Sequence, residues 1–143
     1  MKKFKYNLQR ILDLKKIHEE ECKMALGLAI SILAEIENRI KETASRQYNA
    51  AIERFKDPTQ IMIWNNYIER LEQETEKLME EAAQAELVVE EKRAIYMEAF
   101  SEVKALEKVK EKREEEYIKQ MTKKESDEID EVFASRQNRA IFL

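Results

Sequence analysis

The chain has 143 residues, enough for one domain, and a net charge of −4. Charged residues make up 39% of it and hydrophobic residues 43%, while Gly and Pro occur once each. Such a composition is typical of long helices or coiled coils, and it excludes a compact globule with many tight connections. The net acidity argues against general nucleic-acid binding.

No part of the sequence predicts catalysis. A Gly-rich phosphate loop is missing, and the lone Cys22 cannot form an internal disulfide. His18 and Cys22 are four residues apart, but two ligands are too few for a structural zinc site. No apolar run reaches the roughly 18 residues that a membrane span needs. We therefore expect a cytosolic protein that is not an enzyme and has no cofactor or metal.

The one strong helix breaker lies at Asp57-Pro58. Proline disfavours helical backbone at the residue before it and suits the first turn of a new helix, with Asp57 as its N-cap. The sequence therefore predicts an all-α fold with a single domain over residues 1–143. We expect helix 1 from about residue 3 to 56, a turn at about 57–58, and helix 2 from about 59 to 140.

Both predicted helices carry a coiled-coil seam, a row of mostly apolar residues at alternating steps of four and three. The seam of helix 2 is Trp64, Ile68, Leu71, Thr75, Leu78, Ala82, Ala85, Val89, Lys92, Tyr96, Ala99, Val103 and Leu106. The seam of helix 1 is Phe4, Leu8, Ile11, Lys15, His18, Cys22, Leu26, Ala29, Leu33, Ile36, Ile40, Ala44, Tyr48, Ala51 and Phe55. Consecutive steps of four at 18–26 and 36–48 predict stutters, which locally unwind a supercoil.

The short turn predicts an antiparallel coiled-coil hairpin. Residues whose numbers add up to about 115 should then face each other, so the pairing ends near residue 112. Residues 114–143 would overhang without an internal partner. Their apolar stripe predicts either a binding partner or a fraying tail, and it consists of Ile118, Met121, Ile129, Val132 and Phe133.

Two surfaces are candidates for partner binding. The hinge end holds more large apolar residues than one seam can bury, and these either anchor a partner or plug the hairpin: Tyr48, Ile52, Phe55, Ile63, Trp64 and Tyr67.

At the free end, residues 1–16 hold six Lys or Arg against one Asp. This basic collar suits an acidic socket or an anionic membrane, or is a solvated face. The candidates of the collar and overhang are Lys2, Lys3, Lys5, Arg10, Lys108, Lys112, Ile118, Met121, Ile129 and Phe133.

Two stretches carry a family resemblance: residues 4–16, FKYNLQRILDLKK, and residues 106–117, LEKVKEKREEEY. Together with Glu128-Ile-Asp-Glu131 and Arg136, they resemble the FliJ family of flagellar type III export proteins. The resemblance implies a stalk-like coiled coil, peripheral on the cytoplasmic side of the cell membrane. It implies as partners the export ATPase ring, the export gate membrane protein and substrate-specific chaperones. The paired termini would enter the ring, and the hinge end would face the gate.

Two other classes stay open. A prefoldin-like chaperone is also a helical hairpin, but its helices connect through β-hairpins, for which the sequence has no strand pattern. A generic coiled-coil oligomerisation module would carry a second apolar seam along helix 2, whereas the apolar residues there are scattered: Met79, Leu87, Ile95 and Phe100. We therefore expect a monomer when isolated, associated with the membrane only through partners and binding no nucleic acid.

Overall fold

Two α-helices make up almost all of the chain. The computed structural model describes the backbone of residues 3–142 and the side chains of residues 3–139. Helix α1 spans Gln9–Glu53, a single 3-10 turn spans Pro58–Gln60, and helix α2 spans Ile61–Phe142. Within residues 3–142 there is no strand. The prediction of an all-α fold with two helices packed against each other is confirmed.

Asp57 is an N-cap before Pro58, as the sequence predicts, but α1 ends at Glu53 and α2 begins at Ile61 only after a 3-10 turn. Asp57 has extended backbone, with φ −137° and ψ 103°, and it caps the 3-10 turn that Pro58 begins. Its Oδ1 accepts hydrogen bonds from the backbone N–H of Thr59 at 3.0 Å and from the Thr59 hydroxyl at 2.7 Å. These two hydrogen bonds lower the pKa of the Asp57 carboxyl, because they favour its charged form.

The seam predicted for α2 is confirmed residue by residue, since all thirteen positions from Trp64 to Leu106 are buried or half-buried. The seam predicted for α1 is confirmed from Cys22 to Ile40, where all six positions are buried or half-buried, but it is wrong at five other positions. Ile11, Tyr48 and Phe55 are exposed, and so are His18 and Ala44. The observed seam is the row of buried and half-buried positions at alternating steps of three and four: Leu12, Lys15, Glu19, Cys22, Leu26, Ala29, Leu33, Ile36, Ile40, Thr43, Gln47 and Ala50, followed just after α1 by Arg54.

This observed seam alternates steps of four and three without interruption, so the two predicted stutters are wrong. The reason is that polar side chains occupy several seam positions. Thr43 is buried, and its hydroxyl donates to the backbone carbonyl of Arg39 at 2.9 Å. Thr75 on α2 makes the equivalent bond to Leu71. A threonine that satisfies its hydroxyl in this way can face the partner helix without an unpaired polar group.

The chain forms two compact units. The hairpin unit comprises residues 18–99 and contains the turn. The terminal unit comprises the chain up to Ile17 together with the chain from Phe100 onward. Its core is formed by Leu12, fully buried, with Tyr6 and Val103, against which Phe4, Leu8 and Leu106 pack.

Helix α1 begins at Gln9 rather than near residue 3, and the residues before it pack against α2 in another way. The Tyr6 hydroxyl donates to the backbone carbonyl of Leu106 at 3.2 Å. The rings of Phe4 and Tyr117 lie 5.6 Å apart. Residues 4–8 therefore lie against α2 without forming a helix, and the rings of Phe4 and Tyr6 reach α2 without the helical spacing that the prediction assumed.

Candidate functional site

The hinge surface consists of the predicted contact residues Tyr48, Ile52, Phe55, Ile63, Trp64 and Tyr67, together with Ile61 and Met62, which are exposed. Tyr48 and Ile52 are exposed and one helical turn apart on α1, and Phe55, in the turn that follows α1, is exposed as well. Phe55 is 74% exposed even though the Arg54 guanidinium lies 4.8 Å from its ring centroid. An aromatic and aliphatic surface of this kind is suited to protein contacts.

Trp64 and Tyr67 differ from these exposed residues. Both are half-buried, and their rings meet edge to face with centroids 6.1 Å apart. They line a shallow groove with Arg46, Asn49, Ala50 and Glu53. Trp64 therefore closes the end of the seam, while Tyr48, Phe55 and Ile63 present apolar surface to solvent.

Some cationic residues of the basic collar contact other residues of the chain, whereas others do not. Lys15 pairs with Glu102 at 2.8 Å, and Lys16 lies 3.8 Å from Glu107. Arg113 donates to the Asn7 side-chain oxygen at 2.6 Å. The predicted contact residues are exposed and form no ion pair with other described residues: Lys3, Lys5, Arg10, Lys108 and Lys112. The predicted contact Lys2 lies outside the described residues.

The overhang continues as helix after the last contact with the N-terminal segment at Tyr117. Ile118, Ile129 and Phe133 are all more than half exposed, and Met121 is half-buried. Val132, which lies between Ile129 and Phe133 on the same side of the helix, is 52% exposed. Glu125, Glu128 and Arg136 border this apolar face. Such a face on a single helix gains its stability only when a partner covers it.

The described residues also bear on metal and membrane sites. Cys22 is buried, with its sulfur 3.6 Å from the His18 Nε2. No group of three or more His, Cys, Asp or Glu side chains in the described chain is arranged to hold a metal ion. No helix within residues 3–142 has an apolar stretch long enough to cross a bilayer.

These features define an all-α protein of paired antiparallel helices with exposed apolar surfaces at the hinge and on the overhang. The chain belongs to the FliJ family: the family model described as Flagellar FliJ protein matches residues 4–140, nearly the whole chain. It is therefore a component of flagellar protein export, as the resemblance implied. Comparisons with curated proteins and with solved structures gave no match.

Proposed function

We propose that this chain acts as a non-enzymatic stalk that links the export ATPase ring to the export gate and to substrate-specific chaperones. The proposal rests on its family and on two unlike surfaces of the chain, one aromatic at the hinge and one charged and apolar at the termini. The protein would work on the cytoplasmic side of the membrane and be held there by its partners. A coiled coil can link two partner proteins without binding a small molecule.

The hinge surface is the proposed contact for the export gate. What supports it is the exposure of Tyr48, Phe55 and Ile63, because large side chains that bury in a partner supply most of the energy of a protein interface. Trp64 contributes to the seam instead. We expect Phe55→Ser and Tyr48→Ser to weaken binding to the cytoplasmic part of the gate protein by about 1–3 kcal/mol each.

The affinity of the wild-type chain and of each variant for the gate domain is measured by calorimetric titration. Thermal melts of the same chains report their stability. Met79→Ser is the matched control, since Met79 is exposed on α2 away from the turn. Unchanged gate binding by both hinge variants would move the gate contact elsewhere. An early melt of Phe55→Ser would show that Phe55 stabilises the hairpin rather than binding a partner.

The basic collar and the overhang are the proposed contact for the ATPase ring. Support comes from the exposed cationic residues Lys3, Lys5 and Arg10, and from the exposed face around Ile129 and Phe133. Charged contacts at an interface rim raise the association rate and weaken with salt, whereas the apolar face should respond little to salt.

Deletion of residues 122–143 tests the ring contact. The cut falls after Tyr117, so it leaves the contacts of Phe4 and the core around Leu12 in place. We expect the deletion to abolish any effect of the full chain on ring assembly or ATP hydrolysis, while the melting temperature of the remaining helices stays within a few degrees. If the deleted chain acts on the ring as well as the full chain, the ring contact does not include the overhang.

A further inference from the structure

A third surface lies within the hairpin unit and shares no residue with the hinge surface or the overhang. In heptad letters, the observed seam places Leu12 at position a and Lys15 at position d of α1, and Trp64 at position d of α2. The Lys16–Glu107 ion pair then joins two e positions. Because e positions of antiparallel helices meet on one flank of a pair, the g positions of both helices must meet on the opposite flank.

That opposite flank is apolar in the middle of the hairpin unit. We define the flank patch by the g positions Ala25, Ile32, Val88 and Ile95, together with the neighbouring c position Leu28. Leu28 is 65% exposed and Ile32 is 49% exposed, and Val88 and Ile95 are also exposed. Leu28 and Ile32 are one helical turn apart, so they form a continuous ridge on α1.

The rim of the flank patch is acidic. Glu21 on α1 and Glu91 and Glu98 on α2 occupy c positions beside it, and all three are exposed. None of the three forms an ion pair with another residue of the described chain. The nearest cation on this flank of α1, Arg39, is already paired with Glu35 at 3.4 Å.

We propose that the flank patch binds an amphipathic helix with basic edges, donated by another protein, to complete a local three-helix arrangement. The groove between two paired helices accepts the apolar face of a third helix, and the acidic rim selects Lys or Arg on its edges. A second copy of this chain would bring two acidic rims together, and an anionic membrane or nucleic acid would be repelled. This site is separate from the hinge and free-end contacts proposed above.

The test uses two synthetic helical peptides with the same Leu and Ile face, one with Lys on both edges and one with Glu in their place. Each is titrated by fluorescence anisotropy against the full chain. We expect the Lys peptide to bind at least about tenfold more tightly than the Glu peptide. The preference should be reversed, or reduced to less than threefold, in the double variant Glu91→Lys/Glu98→Lys.

Apolar contact is tested separately, because an acidic protein attracts any basic peptide. Leu28→Gln and Ile32→Gln keep the charge constant and should each weaken the Lys peptide about tenfold, with helix content checked by circular dichroism. Met79→Gln, at an exposed e position, is the control and should not change the affinity. Equal binding by wild-type and Leu28→Gln chains overturns the proposal. So does a dimer at micromolar concentration that Leu28→Gln dissociates, because a second copy would then cover the patch.

Discussion

Within the terminal unit, α2 has two regions of similar composition and opposite environment. Around Val103 the helix is covered by the N-terminal segment and the start of α1, and Leu12 there is fully buried. Beyond Tyr117, Ile129 and Phe133 lie on the same helix with 61% and 64% of their surface exposed. Both regions are rich in Glu and Lys, and both are helical.

The difference shows that helix formation and packing are separate properties of this chain. Strong helix formers such as Glu and Lys support the helical backbone in both regions, but propensity supplies only a few tenths of a kcal/mol per residue. Most of the stability must come from the paired region, where apolar side chains are removed from water. The apolar face of the overhang contributes little until a partner covers it. Substitutions in the two regions should therefore have unequal effects.

Leu12→Ala should have the largest effect on stability. The side chain is fully buried against Tyr6 and Val103, so the substitution loses its burial and leaves a cavity. We expect the free energy of unfolding to fall by about 2–5 kcal/mol, measured by urea denaturation followed by circular dichroism.

Ile129→Ala is the matched control, and it should change the free energy of unfolding by less than about 0.5 kcal/mol, because alanine favours the helix and no packing is lost. If both variants are destabilised equally, the overhang is packed in solution and the contrast between the two regions does not hold.

Tyr6→Phe should have a smaller effect in the same core. It removes only the hydrogen bond that the Tyr6 hydroxyl donates to the Leu106 carbonyl at 3.2 Å, and the ring stays in place. We expect a loss of about 0.5–1.5 kcal/mol. Tyr48→Phe, whose hydroxyl is on an exposed residue, should be neutral. A Tyr6→Phe chain as stable as the wild type would show that water bonds to the Leu106 carbonyl in the variant without any loss of stability.

The sequence was sufficient to predict the turn and the whole seam of α2. Asp57-Pro58 is the only strong helix breaker in the sequence, which fixes the place of the turn. Eleven of the thirteen α2 seam positions hold apolar residues, so the pattern there allows one register. In α1 the prediction followed apolar residues wherever they occurred. It therefore chose Ile11 and Tyr48, each adjacent in sequence to the true seam residue, Leu12 or Gln47.

What decides the α1 register is the partner helix, which a single-helix pattern cannot include. The observed seams include Thr43 on α1 and Thr75 on α2, and both satisfy their hydroxyls on their own helices. Both candidate surfaces were proposed from an excess of apolar or basic residues. The flank patch lies where the predicted α1 seam, from Cys22 to Ile40, already has the observed register, so the sequence alone places Ile32 on that flank.

The smallest predicted effect concerns the Lys15–Glu102 ion pair, which lies at the edge of the paired region. Its atoms are 2.8 Å apart, but both side chains are 42% exposed, so solvent screens much of their attraction. Lys15 also occupies a d position, where Lys15→Met by itself can gain stability from apolar packing and hide the loss of the ion pair.

A double-mutant cycle that combines Lys15→Met with Glu102→Gln removes this ambiguity. We expect a coupling energy of about 0.2–1 kcal/mol at low salt, falling towards zero in 1 M NaCl, in urea titrations of the four chains. A coupling above about 2 kcal/mol that persists in high salt would mean that water is excluded from this pair, and that the packed region extends further towards the surface than the exposure of its side chains indicates.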